Sequence, residues 1–219
     1  MPVPPAQHTP VAASPAMDWF GSAAGVPVLA AERERIAAEL EGRAPQPWLW
    51  LTPLATDAVE LPPRGMRLHR DATGLAGTIR CGLPLPLPSE SFGVVVVQHM
   101  LDDGRLPDLL AEAERILQPG GCLRLFALNP FSPWRLHWRG TGLQARTSAA
   151  WRARLRAAGF HVDPDQVEWL GPAWREAGTA QLPQMLRAAC LIGAEKRIAP
   201  LTPARPASTW RPDAAPAGY

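Results

Sequence analysis

Hydrophobic residues form two short, nearly uninterrupted runs on either side of an amphipathic segment within residues 83–129. The first run is four consecutive valines at residues 94–97. Residues 106–117 then have apolar positions at helical spacing, and Pro-Gly-Gly at residues 119–121 precedes the second run. Parallel strands buried on both faces read as continuous apolar runs, and they need a crossover helix between them. The pattern therefore predicts a β-α-β unit of a layered α/β domain.

Weaker patterns predict the remaining elements. A helix is predicted at residues 29–41, with Ile36 and Leu40 on one face and Gly42 in the capping position past its end. A second helix is predicted at residues 147–159, where Trp151 and Leu155 lie on one face. Further strands are predicted at residues 48–51, 66–68 and 78–80.

The two ends of the chain differ in composition from the middle. Residues 1–17 and 200–219 are rich in Pro, Ala and Ser, and they contain little that could be buried. Ordering such segments costs conformational entropy that no burial offsets. We therefore expect two disordered tails on one domain at residues 18–199, a length sufficient for a sizeable core.

Composition narrows the compartment and the chemistry. The formal net charge is +2, and the cysteines Cys81, Cys122 and Cys190 show no metal-ligand or disulfide spacing. No run is long enough to span a bilayer, and the first residues lack the pattern of a signal peptide. We expect a cytoplasmic protein with no metal and no membrane partner.

Two phrases of the β-α-β unit are more specific than its hydrophobic pattern. Residues 85–101 read LPLPSESFGVVVVQHML, and residues 109–129 read LLAEAERILQPGGCLRLFALN. They resemble the type 11 methyltransferase domain, a class I S-adenosylmethionine-dependent family whose usual phrases are LPFxDxSFDxVxxxxVLEH and LxExxRVLKPGGxLxI. RLRAAGFHV, VEWLGP and CLIGA look like its last helix and last two strands. The resemblance implies a Rossmann-like α/β fold in which helices flank a mostly parallel sheet.

The resemblance also implies S-adenosylmethionine as the cofactor, bound over the carboxyl ends of the first strands. The positions of this chain that we expect to contact it are Leu51, Thr52, Cys81, Gly82, Gln98, His99 and Met100. The backbone at Thr52 would hold the methionine part, and Cys81 would lie beside the adenine. Residues 98–100 would line the side on which the methyl group is transferred.

The cofactor half departs from the family pattern. Pro53 stands within the segment that is a glycine-rich loop in the family, and proline withdraws an amide and fixes φ. Glu60 and Asp71 are the candidates for the acid that binds the ribose hydroxyls, and Cys81 stands near the position of a further acid. Roughly 35 residues separate the first strand from Leu85, too few for two full crossovers, so this half is predicted to be shortened.

Two functions follow from this combination. In one, the chain transfers a methyl group from S-adenosylmethionine to an unidentified acceptor. In the other, the fold persists without activity and serves as a scaffold or protein partner. His99 is the candidate general acid or base, because it nearly follows the valine strand and should emerge at its carboxyl end; the alternative, favoured because many methyl transfers need no protein base, is that it ends the strand and bonds a neighbouring carbonyl. Asp102 and Asp103 are as readily interpreted as caps before Pro107.

A charge gap suggests the substrate. From Arg115 to Val162 there is no acidic residue, whereas eight arginines occur with tryptophans between them. Arginine beside aromatic rings suits phosphate contact and base stacking, so RNA or a nucleotide is one candidate substrate, and a small molecule or a protein partner is the alternative. Asn129-Pro130-Phe131 resembles the Asn-Pro-Pro-Tyr motif of amino-group methyltransferases but follows a different strand, which favours a loop beside the substrate pocket. The candidate substrate residues are Asn129, Arg135 and Arg139.

Overall fold

The computed structural model describes residues 15–43, 45–55, 60–72, 74–163, 166–172 and 183–197. Its helices are α1 (Pro15–Asp18), α2 (Val26–Gly42), α3 (Leu109–Ile116) and α4 (Ser148–Ala157). Its strands are β1 (Trp48–Thr52), β2 (Gly65–Arg70), β3 (Leu75–Gly77), β4 (Phe92–Gln98), β5 (Leu117–Leu128), β6 (Phe160–His161), β7 (Val167–Leu170) and β8 (Ala189–Lys196). Short 3₁₀ helices occur at Trp19–Gly21, Pro133–His137 and Gln184–Leu186.

The strands form one mixed sheet in the order β3-β2-β1-β4-β5-β8-β6, and β7 also pairs with β8. The central strands β2, β1, β4 and β5 are parallel to one another. The outer strands β3, β6, β7 and β8 pair antiparallel with their neighbours. The predicted Rossmann-like α/β fold is confirmed, and its parallel part is the centre of the sheet.

Helices cover the two faces of the sheet unequally. On one face α2 packs Ile36 and Leu40 against Trp50 and Val96. On the other face α3 and α4 bury apolar side chains, including Trp151, against the alternate residues of β1, β4 and β5. The valines of β4 are all buried, and full burial of one valine stabilises by about 1.5–3 kcal/mol. This strand therefore anchors both layers.

The predicted β-α-β unit is confirmed as β4, α3 and β5. The helix predicted at residues 147–159 is confirmed as α4, which begins after the capping residue Thr147. Trp151 and Leu155 are buried there, as its apolar face predicted.

Three predicted boundaries are corrected. The helix predicted at residues 29–41 begins earlier, at Val26, and Gly42 is its last residue and not the residue past its end. The third strand lies at Leu75–Gly77 and not at residues 78–80. The chain reverses direction after β2, and the returning segment pairs antiparallel with β2 as β3. Residues 15–17, which were placed in the N-terminal tail, belong to α1, and Met17 is buried. Residues 1–14 and 200–219 of the predicted tails lie outside the described residues.

The cofactor half is shortened, as predicted. The described residues between β1 and β4 contain no helix, with residues 56–59 and 73 outside the description. Side chains of the sheet cover part of the face there. The Trp48 ring lies where a Cβ on Gly65 would be, and the Arg67 guanidinium lies 5.7 Å from the centre of the Trp50 ring.

Candidate functional site

Buried polar side chains concentrate at one edge of the sheet. The parallel strands β1, β2, β4 and β5 end at Thr52, Arg70, Gln98 and Leu128, and we call this end of the sheet the carboxyl edge. The buried polar or charged side chains of the described residues are Glu32, Thr52, Arg70, Gln98, His99, Asp102, Asp103, Asn129 and Ser132. Eight of these nine lie at the carboxyl edge or in the loops that leave it, and the ninth, Glu32, reaches the edge from α2.

His99 is held at this edge by two carboxylates. Its Nδ1 lies 2.7 Å from Asp102 Oδ2, and its Nε2 lies 2.9 Å from Glu32 Oε1. Burial alone would lower the pKa of His99, but the charges of Glu32 and Asp102 and the hydrogen bonds to them raise it to about 10. Burial raises the pKa of Asp102, while the bonds from His99 and from the Leu128 amide oppose that rise. His99 is therefore an imidazolium that donates from both nitrogens at neutral pH.

This geometry corrects two expectations for the loop after β4. The His99 ring is fully buried and both of its nitrogens contact carboxylates, which argues against the general-base role. Asp102 and Asp103 are not helix caps, since the N-cap residue of α3 is Asp108. Asp102 instead bonds His99, and Asp103 forms a buried ion pair with Arg70.

The residues flanking His99 are equally buried. Gln98 accepts a hydrogen bond from Trp50 Nε1 at 3.1 Å and donates one to Glu32 at 2.8 Å. Met100 packs in the main core cluster. His99 itself has a φ of 53°, in the left-handed region that residues other than glycine seldom occupy. The chain thus turns sharply where β4 ends, and all three predicted cofactor residues face the interior.

Four buried polar atoms of the carboxyl edge lack a hydrogen-bond partner among the described residues. They are Thr52 Oγ1, Asp102 Oδ1, and Nε and Nη1 of Arg70. Buried polar atoms are nearly always paired, and leaving one unpaired costs about 1–3 kcal/mol. The edge therefore has hydrogen-bonding capacity that a ligand could use.

Asp71 is the acid at the end of β2. It follows Arg70 directly, accepts a hydrogen bond from the Gly74 amide at 2.8 Å and lies 3.4 Å from Arg80. Its side chain is 20% exposed, so a ligand can reach it. Glu60, the other candidate from the sequence, is exposed and precedes β2. The structure thus separates two acids that the sequence left equivalent.

The other predicted cofactor residues are less polar. Leu51 is a buried core residue of β1. Cys81 forms an isolated β-bridge with Leu75, and burial raises the pKa of its thiol, which is neutral at pH 7. Gly82 beside it is half-buried. These positions could contribute backbone groups and contact surface, but no charge.

The N-terminal segment covers part of the carboxyl edge. We call residues 15–26 the N-terminal cap. The Phe20 ring is fully buried and stacks on the His99 ring with 4.6 Å between ring centres. Trp19 donates to the His137 carbonyl, and Trp134 donates to the Ala24 carbonyl. The cap and the 3₁₀ helix Pro133–His137 are therefore joined above the strand ends. The sequence analysis placed residues 15–17 of this segment in a tail and residues 18–26 in the domain, and it did not predict that the segment covers the carboxyl edge.

The predicted substrate residues have different environments. The Asn129 amide donates to the carbonyls of Met185 and Arg187 and accepts from the Phe131 amide, so its side chain supports the loop. This agrees with the loop interpretation of Asn129-Pro130-Phe131. Arg135 and Arg139 are exposed near the carboxyl edge.

The tryptophans of the charge gap give little support to base stacking. Trp138 and Trp151 are buried, and Trp134 is half-buried against His137. Two of the arginines are engaged with acids outside the gap, since Arg115 pairs with Glu112 and Arg124 pairs with Glu39. Among the described residues there is no cluster of His, Cys, Asp and Glu that could hold a metal ion. None of the helices in the described ranges is long and apolar enough to cross a membrane.

Comparisons with known proteins agree with this architecture. Residues 54–125 match the model of a family described as a methyltransferase domain, type 11. An S-adenosylmethionine-dependent methyltransferase from Archaeoglobus fulgidus is similar in structure, with a TM-score of 0.52 and 14% identity over 82% of this chain and 97% of that chain. A chain of the complex that contains the Haloferax volcanii Trm112 methyltransferase activator has a TM-score of 0.51 and 17% identity over 85% of this chain and 100% of that chain. No curated protein matches the chain in sequence.

Proposed function

We propose that this chain, which belongs to the type 11 methyltransferase domain family of class I methyltransferases, transfers a methyl group from S-adenosylmethionine to an acceptor at the carboxyl edge. The observation that carries the proposal is the concentration of buried polar side chains at that edge. Apolar packing would be more stable there, because burying polar groups without full pairing costs free energy. A bound ligand that supplies the missing hydrogen-bond partners would offset this cost.

The residues at the edge fit the cofactor in part. Asp71 could accept hydrogen bonds from the ribose hydroxyls, since its carboxylate is partly exposed at the end of β2. The Thr52 hydroxyl has no partner among the described residues and could bond the methionine part. Cys81 and Gly82 would border the adenine. When bound, S-adenosylmethionine supplies an electrophilic methyl group on a positively charged sulfur.

The chain would accelerate the transfer by holding the reactants in position, with no protein base. Fixing two reactants in the reacting geometry can by itself lower a barrier by several kcal/mol. His99 stays protonated between Glu32 and Asp102, so its role is to fix the turn at the end of β4. Arg135 and Arg139, which are exposed near the same edge, are candidates for contact with the acceptor.

Calorimetric titration with S-adenosylmethionine tests the proposal. We expect micromolar binding by the unmodified chain, which corresponds to about 8 kcal/mol. Asp71→Asn should weaken binding at least tenfold, because a hydrogen bond to a charged acceptor contributes about 1.5–3 kcal/mol. Glu60→Gln is the matched control, since Glu60 is the other acid of this region and is exposed before β2. Melting temperatures of all three proteins would verify that Asp71→Asn is folded.

A non-catalytic role is the second candidate, and a specific observation favours it. The N-terminal cap lies on His99, and residues 98–100 have at most 1% exposure. If the role is non-catalytic, the unmodified chain should show no binding of S-adenosylmethionine at millimolar ligand concentration. The structural neighbour from Haloferax volcanii occurs in a complex with a methyltransferase activator, and a protein partner is a corresponding proposal for this chain. Equal binding by wild type and Asp71→Asn would reject only the role of Asp71.

A further inference from the structure

Exposed apolar side chains gather around the carboxyl edge. Among the described residues the large apolar side chains that are exposed are Val26, Phe131, Leu136 and Met185, with 52–64% of their surface accessible. Single exposed apolar residues are ordinary on a protein surface, whereas a group of them marks an interaction site. These four come from three separate segments of the chain.

Hydrogen bonds bring the three segments together. Trp134, two residues before Leu136, donates to the Ala24 carbonyl, two residues before Val26. The Asn129 amide group donates to the Met185 carbonyl, and its carbonyl accepts from the Phe131 amide. The four exposed apolar residues therefore lie on segments that are adjacent in the fold.

The same segments carry more basic than acidic residues. Within residues 15–26, 130–147 and 183–188, the arginines are Arg135, Arg139, Arg146 and Arg187. Asp18 is the single acidic residue of these segments. A surface that combines apolar tips with an excess of arginine complements an anionic partner that also offers an apolar phase.

We propose that this surface, formed by Val26, Phe131, Leu136 and Met185 with Arg135 and Arg139, docks on an anionic lipid membrane. The apolar tips enter the region between headgroups and acyl chains, and the arginines contact the headgroup phosphates. Docking would turn the carboxyl edge towards the membrane. No membrane partner was expected from the sequence because it has no spanning segment, but contact with a membrane surface requires none.

The nature of the exposed side chains favours lipid over RNA. Base stacking needs exposed aromatic faces. Of the four exposed apolar side chains, Phe131 alone is aromatic. The tryptophans Trp138 and Trp151, which first suggested stacking, are buried. Valine, leucine and methionine gain free energy by entering a hydrocarbon phase but have no stacking face.

Sedimentation of the full chain with lipid vesicles tests the proposal without any cofactor, so its outcome is independent of methyl transfer. We expect binding to vesicles of phosphatidylcholine with phosphatidylglycerol, and at least about tenfold weaker binding to phosphatidylcholine alone. Arg135→Gln with Arg139→Gln should reduce the partition coefficient roughly 30-fold, since each arginine near an anionic membrane contributes about 1 kcal/mol. Leu136→Gln should reduce it about tenfold through lost apolar insertion.

A matched double variant controls for net charge. Arg64 precedes β2 and Arg156 lies near the end of α4, so both are exposed away from the carboxyl edge. Arg64→Gln with Arg156→Gln should leave binding within about twofold, although it removes the same charge. Equal loss in both double variants, or equal binding to the two kinds of vesicle, would overturn the proposal. Retention on single-stranded RNA without vesicle binding would overturn it in favour of RNA.

Discussion

Replacing Glu32 with glutamine removes one of the two carboxylates that hold the buried His99 ring. The substitution keeps the size of the side chain but deletes its charge, and it brings an amide N–H₂ group near the N–H groups of His99 and Gln98. Glu32 Oε1 lies 2.9 Å from His99 Nε2, and Oε2 lies 2.8 Å from Gln98 Nε2. Removing one partner of a buried ion pair costs about 3–5 kcal/mol. We expect Glu32→Gln to lose stability in this range.

The effect should depend on pH in a defined direction. The pKa of His99 is raised from its ordinary value of 6.5 to about 10 in the folded protein. The stabilisation is therefore fully present below about pH 6.5 and is lost as the pH rises towards 10. In this window the unfolding free energy falls by up to about 1.4 kcal/mol per pH unit. In Glu32→Gln the pKa of His99 should lie closer to its ordinary value, so the fall should be shallower.

Urea unfolding at about pH 6 and about pH 8.5 measures both quantities. Glu34→Gln is the matched control, because Glu34 is exposed on the same helix. The difference between wild type and Glu32→Gln should be largest near pH 6 and should narrow at the higher pH. The reasoning is refuted if Glu32→Gln is within about 1 kcal/mol of Glu34→Gln at pH 6, or if the difference widens as the pH rises.

Three further substitutions test packing, each by its unfolding free energy. Gly65→Ala should destabilise by about 1–3 kcal/mol, because its Cβ would lie 1.7 Å from a Trp48 ring atom. An unchanged stability would show that the Trp48 ring can move aside without cost. Gly42→Ala is its control and should stabilise by about 0.5–1 kcal/mol, since nothing lies within 4 Å of that Cβ and alanine favours the helix; a loss of stability would contradict this. Phe20→Ala should cost about 3–5 kcal/mol through the cavity left beside His99, and a loss below about 1 kcal/mol would show that the N-terminal cap is loosely packed.

The β4-α3-β5 unit was predictable because its signals are local. Each strand is buried on both faces and so reads as an apolar run, and the helix between them has a clear apolar face. The first part of β5 departs from regular pairing between Leu117 and Cys122, and Gly120 there has a φ of 76°, in the left-handed region that favours glycine. Hydrophobic periodicity and turn chemistry agree here, and the fold class followed from them.

Glu32 was missed although a signal existed. It stands three residues after Leu29 and four before Ile36, which places it on the apolar face of α2. Glutamate and arginine alternate around it, a pattern typical of a solvent-exposed helix face, so the sequence did not indicate that Glu32 is buried. Its partners His99 and Gln98 lie more than sixty residues away in sequence, at separations of 67 and 66. Helical spacing could therefore have indicated burial, but only the fold could supply the partners.

Asp71, the acid at the end of β2, was a candidate from the sequence but could not be distinguished from Glu60, for a different reason. Periodicity gave β2 an end at residue 68, whereas pairing with β1 and β3 extends it to Arg70. The extension makes Asp71 the residue that follows the strand. Strand ends depend on pairing with other segments, so a short strand between glycines and prolines has no local signal for its last residue.

The buried polar groups of the carboxyl edge are costly for a protein of ordinary stability. Four unpaired atoms at about 1–3 kcal/mol each take a large part of the 5–15 kcal/mol by which a domain is usually stable. The rest of the described core is almost wholly apolar, although Trp151 Nε1 is also unpaired. The four atoms are inside the protein, and the nearby His99 ring is covered by Phe20 of the N-terminal cap. If the cap moves to admit a ligand, the measured affinity is the contact free energy less the cost of moving the cap, and cofactor binding is then linked to the segment that also carries Val26 of the proposed membrane surface.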